Sequence, residues 1–173
     1  MENHGSLRIT TQGDRAIVMT REFNAPRRLV FDAFTKPELV KQWLLGPPGW
    51  SMPVCEIDLK VGGAYRYVWR RDSDGTEMGM GGVYREIVLQ ERIVSTEVFE
   101  KAWYPGEALG TLLFAEVGGK TTVTQTVLYQ SREAREGVLK SDMESGVAAS
   151  YDRLAQLVES PRTAGAEKGT DKS

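Results

Sequence analysis

The chain has 173 residues, 40% of them hydrophobic and 27% charged, which suits one globular domain with a core of its own. Its 22 basic and 24 acidic side chains leave a net charge of −2, so the basic face that nucleic acid requires is not available. One cysteine, Cys55, and one histidine, His4, supply no intrachain disulfide, no zinc site and no histidine-based triad; a reducing cytoplasm is the expected setting.

Residues 1–13 contain no apolar run of the kind that marks a signal peptide, and they read as a flexible leader. No later apolar run is long enough to span a bilayer, so a membrane is not an expected partner. RAIVMTREF, residues 15–23, alternates as a first strand. Pro26 then starts a helix whose apolar face is Leu29, Val30, Ala33 and Phe34. Thr35 and Glu38 have capping-box spacing and predict a second short helix that buries Leu39, Val40, Trp43 and Leu44. Gly46-Pro47-Pro48-Gly49 ends it.

The next eighty residues alternate with the two-residue period of strands. Strands are predicted over 54–59, 64–70, 78–88, 92–99, 111–117 and 120–129. Asp74-Gly75 and Gly118-Gly119 supply hairpin turns between successive strands, which implies an antiparallel meander. From 132 to 159 the period lengthens to that of a helix, with Ser131 as N-cap. Met143, Val147, Ser150, Tyr151, Leu154, Leu157 and Val158 share one face of it. Its first half, 132–141, is more polar and is expected to lie over an opening. Residues 160–173 read as a disordered polar tail.

This order predicts an α+β fold: a curved antiparallel sheet of about seven strands, two short helices after the first strand, and a long C-terminal helix gripped by the sheet. Four stretches carry a family resemblance: REFNAPRRLVFDAFTKPELVKQWLLGPPGW (21–50), EIDLKVGGAYRYVWR (56–70), DGTEMGMGGVYREIVLQERIVST (74–96) and SGVAASYDRLAQLV (145–158). In these the chain resembles the activator of heat-shock-protein ATPase homologue family, within the START-like (Bet v 1-like, helix-grip) superfamily. The resemblance implies one helix-grip domain over 14–159. It implies no single activity, because the superfamily hosts carriers, cyclases and co-chaperones.

Several residues are candidates for a site. Tyr65, Tyr67, Trp69 and Tyr84, with Met80 beside the small Gly81 and Gly82, line either a ligand cavity or an ordinary packed face. Gln125 shares an inward face with Val123, Val127 and Tyr129, where a buried amide needs a partner from a ligand, a neighbouring strand or water. Glu97 and Glu116 are similar, with their faces unassigned. Trp50 and Met52 form a cavity lip or pack plainly, and Met143 reaches the same space from the long helix. Arg66, Arg70, Arg71 and Arg85 alternate with the tyrosines and belong on the outer face. Cys55 lies on an apolar strand face, as a small buried hydrophobe. Gly79-Met80-Gly81-Gly82 lacks the following helix of a dinucleotide loop, and Asp72-Ser73-Asp74-Gly75 has Glu77 where a calcium loop turns on glycine.

The expected function is binding of a small hydrophobic or amphipathic molecule between the sheet and the last helix, with no cofactor and no metal. A cofactor-free cyclase or dehydratase is the alternative, with Tyr65, Tyr67, Tyr84, Glu97 or an arginine doing acid–base work. A co-chaperone role is the third, since the family name points to a chaperone partner. A homodimer is compatible with all three.

Overall fold

The computed structural model describes residues 7–159. His4, the rest of the first six residues and the tail from 160 to 173 lie outside them. Eight strands and four helices follow in the order β1 (Arg8–Gln12), β2 (Ala16–Phe23), α1 (Arg27–Thr35), α2 (Pro37–Trp43), β3 (Trp50–Ile57), β4 (Ala64–Arg71), β5 (Glu77–Val88), β6 (Arg92–Phe99), β7 (Ala108–Val117), β8 (Lys120–Leu128), α3 (Arg132–Lys140) and α4 (Met143–Glu159). The strands form one antiparallel sheet in the order β1-β2-β8-β7-β6-β5-β4-β3. The helix-grip architecture is therefore present, with eight strands in place of about seven. The additional strand, β1, comes from the segment read as leader. It pairs with β2 from Arg8↔Thr20 to Gln12↔Ala16. Its side chains are largely exposed, so its alternation carries no hydrophobic signal.

Local chemistry explains the helix boundaries. Pro26 is the residue before α1, with extended backbone, and the Glu116 carboxylate accepts the Arg27 N–H at 2.9 Å. A strand side chain thus caps the helix, and Glu116 has a structural role. The predicted capping box does not form: the Thr35 hydroxyl donates back to the Phe31 carbonyl within α1, and Pro37 opens α2 at its first position. Trp43 is fully buried and donates its indole N–H to the Ala33 carbonyl at 2.8 Å. Gly118 and Gly119 both have positive φ, as the tight β7–β8 hairpin requires.

The expected single long helix is two. The chain is extended at Ser141, whose N–H bonds back to the Gly137 and Val138 carbonyls, and α4 begins at Met143. Nor does α3 lie over an opening. Ala134 and Val138 are buried against Ile17, Val127 and Tyr129, and the buried Arg135 guanidinium donates to the Gly13 and Ala16 carbonyls, both at 3.1 Å. This helix closes the β1–β2–β8 end of the sheet. Ser131 caps it as expected, accepting the Ala134 N–H at 3.0 Å.

The main neighbours of α4 are α1, α2, α3 and β2. An ion pair at 3.0 Å joins Arg21 on β2 to Asp152 on α4. The Gly46–Gly49 loop is held against the same helix: Gly46 N–H donates to the Ser150 hydroxyl at 2.9 Å, and Pro47 packs at Gly146. No helix of the described residues is long and apolar enough to cross a membrane.

Candidate functional site

The inner face of the sheet carries two apolar clusters. The first holds Phe23, Ile93, Phe114 and Val123 with Tyr65, Tyr67, Tyr84 and Tyr151; the second holds Ile17, Met19, Ala108, Val127 and Tyr129 with Tyr104. Between them the strands place a line of small or polar residues. Ser95 and Glu97 lie on β6 between Ile93 and Phe99, Gly110 lies opposite Ser95 on β7, and Gln125 lies on β8 between Val123 and Val127. All four of these residues are partly buried, as is Leu112 beside Gly110, whereas Ala108 and Phe114 on β7 and Val123 and Val127 on β8 are buried. The seam residues are thus less completely buried than the core members of either cluster.

Gly110 shows how much room the seam has. A β-carbon built there meets no atom closer than the Ser95 carbonyl oxygen at 3.8 Å, an ordinary contact. The glycines of β5 behave differently. A β-carbon at Gly81 or Gly82 would collide with the backbone of β4 or β6, so those glycines serve close strand approach within a bent sheet. Gly79 to Gly82 is strand, as its sequence context predicts, and Asp72 to Gly75 is the β4–β5 hairpin.

Glu97 is the chemically distinctive group of the seam. Its Oε2 accepts the Tyr104 hydroxyl at 3.1 Å, and its other oxygen has no protein partner among the described residues. Burial holds the carboxyl above the ordinary glutamate range, and the Tyr104 bond only partly offsets this. Its charge in turn helps push up the phenols of Tyr65, Tyr67, Tyr104 and Tyr129, each of which is raised chiefly by its own burial. Of these tyrosines, Tyr104 from the β6–β7 loop bonds the carboxyl directly, and its ring packs edge-to-face on Tyr129.

The predicted residues divide into four groups. Met52, Tyr65, Tyr67 and Tyr84 are buried in the first cluster, with Trp69 and Met80 packed against it. Tyr65 and Tyr67 rings lie 5.1 Å apart, Tyr65 and Tyr84 5.4 Å, and the Tyr65 hydroxyl donates to the Thr96 carbonyl at 2.6 Å. The Trp69 indole N–H is taken by the Leu44 carbonyl at 2.7 Å. Gln125 is on the inner face, and its Oε1 accepts the Tyr151 hydroxyl of α4 at 3.1 Å. Met143 stands apart on the second cluster, while Val147 touches both. Trp50 belongs to neither cluster; its half-buried ring lies 5.5 Å from the Arg71 guanidinium.

Tyr104, Tyr129, Glu97 and Gly110 complete the seam and were not among the principal candidates. Alternation along β6 could not assign Glu97, because both faces of that strand carry buried residues: Ile93 on one and Val94 and Thr96 on the other. The outer arginines are where alternation puts them, paired as Arg66–Glu100, Arg70–Glu77 and Arg85–Glu107. Arg71 is held by Asp74 at the sheet edge. Burial pushes the Cys55 thiol up to about 11, which leaves it a poor nucleophile at neutral pH. Among the described residues no three His, Cys, Asp or Glu side chains converge as a metal site requires.

The model of a family described as "Activator of Hsp90 ATPase homolog 1-like protein" matches residues 24–159. Among solved structures, the chain is similar to a Rhodobacter sphaeroides protein at 27% identity and a TM-score of 0.83, covering 89% of this chain and 99% of the other. A Chromobacterium violaceum protein is 30% identical with a TM-score of 0.70, over 84% and 97% of the two chains. A Staphylococcus epidermidis protein is 28% identical with a TM-score of 0.74, over 89% and 93%. Among curated proteins no match to the chain was found.

Proposed function

We propose, for a chain that belongs to the Activator of Hsp90 ATPase homolog 1-like family, that it binds a small hydrophobic or amphipathic molecule between the inner face of the sheet and α4. The family's fold supports a hydrophobic binding space in general terms. The observation that carries the proposal for this chain is the seam: a partly buried line of Ser95, Glu97, Gly110 and Gln125 between two apolar clusters. Solid cores do not run a carboxyl with one unpartnered oxygen and a glycine with free space through their middle. The two clusters would take the apolar body of a guest, and the seam its polar group. Native mass spectrometry of gently purified protein should detect a retained guest, and added apolar ligands should raise the melting temperature. A protein that never retains a guest and shows no ligand-dependent shift refutes the proposal.

One observation favours a second reading, a cofactor-free enzyme of the cyclase or dehydratase type. A carboxyl held above its ordinary range and bonded to a phenol is the material of general acid–base catalysis. Turnover of a bound guest, lost in Glu97→Gln with binding retained, would support it. Stimulation of a chaperone ATPase, which the family description names, is tested directly by adding the purified protein at saturation.

A further inference from the structure

We infer that the guest carries a positively charged amine, bound by the Glu97 carboxylate beside Tyr104. The inference rests on the binding proposal above and narrows the class of ligand. Three observations carry it. The Oε1 atom of Glu97, on the inner face of β6, has no protein partner among the described residues, so a bond from a guest is available.

Among the described residues the acid also has no cation beside it. Tyr104 is the one neighbour that supports its charge. The two buried arginines of the domain are engaged elsewhere, Arg21 with Asp152 and Arg135 with Glu136 and two backbone carbonyls. A carboxylate taken out of water without a counter-charge is costly, and an ammonium group entering the seam supplies that charge and three donors.

The third observation is what touches the acid. The Tyr104 hydroxyl bonds Glu97, and the Tyr104 and Tyr129 rings lie 5.1 Å apart in edge-to-face contact. These phenols bring no positive charge, so they do nothing to offset the carboxylate for an anionic guest. A carboxylate or phosphate guest would meet Glu97 with no free cation to compensate. The apolar clusters on both sides of the seam call for an apolar body attached to the amine.

The test uses the full chain and three probes with one apolar body: octylamine, 1-octanol and octanoate, each competed against the neutral dye N-phenyl-1-naphthylamine. Octylamine should bind about tenfold more tightly than octanol, the difference between a charge-assisted and a neutral hydrogen bond, and octanoate should bind most weakly. Glu97→Gln should bring octylamine to the level of octanol while dye binding persists. Equal binding of amine and alcohol by the native chain overturns the amine inference and leaves the binding site standing; that comparison does not depend on the variant folding. Retention of the amine preference in Glu97→Gln overturns it as well. If neither the dye nor any probe binds, the binding proposal itself falls.

Discussion

Replacing Gly110 distinguishes an open interior from a packed one. Gly110 lies mid-strand on the inner face, with no positive φ, and its β-carbon would meet only the Ser95 carbonyl oxygen, at 3.8 Å. Gly110→Ala therefore adds a methyl group without overlap. Relative to glycine, alanine loses less chain entropy on folding, so the variant should be more stable by about 0.5–1 kcal/mol. For a chain of this length that corresponds to a melting temperature raised by roughly 2–4 °C per kcal/mol. In urea the midpoint should rise by roughly 0.2–0.5 M at unchanged slope. Gly110→Leu carries the same argument into the site, since its side chain would occupy the seam and should abolish dye uptake while the protein stays folded. If the interior is close-packed at this point, even the alanine would force neighbours aside and cost about 1–3 kcal/mol. A lowered urea midpoint for Gly110→Ala would therefore refute the open seam.

Trp43→Ala should cost about 3–5 kcal/mol in urea unfolding, because its ring is buried and its indole N–H is bonded, whereas Trp50→Ala should cost about 1 kcal/mol and weaken dye retention. A large stability loss at Trp50 with intact binding would remove it from the site. Glu97 titrates higher folded than unfolded, so the native state binds more protons between those two values and stability falls as pH rises through them. Glu97→Gln abolishes that loss, and its stability relative to the native chain should grow as pH rises above the unfolded glutamate value of about 4; a flat difference would contradict the buried acid. Breaking the Arg135 anchor with Arg135→Met should cost about 2–5 kcal/mol and speed amide exchange in Arg8–Gln12, through loss of the bonds to Gly13 and Ala16.

Much of the fold was legible because its signals are local. The strands from β3 to β8 follow from alternation and from Asp74-Gly75 and Gly118-Gly119, and α1 and α2 from three- and four-residue spacing around Pro26 and Pro37. The strand β1 was not legible, since it is held by backbone bonds to β2 and its exposed side chains carry no hydrophobic period. The break between α3 and α4 had a signal that went unused: Ser141, with Glu144 three residues on, has the spacing of a helix start. The continuous apolar face of Met143 to Val158 hid it, because two helices docked on one sheet need the same apolar spacing as a single one.

By itself the sequence determined the class of the protein: an antiparallel sheet gripping a C-terminal helix, an aromatic inner face on β4 and β5, and arginines outside. Periodicity decides these, because it reports which side of one element is wet. Tertiary structure alone decided the site. Strand register sets Ser95 on β6 opposite Gly110 on β7 and places Gln125 of β8 one step along from Gly110, while the β6–β7 loop brings Tyr104 onto Glu97, which no single element encodes. Whether Glu97 faces inward, and whether Gly110 has space above it, depends on how β6 pairs with β7 and where α4 crosses the sheet. A one-residue change of that register would send the carboxyl to the other face.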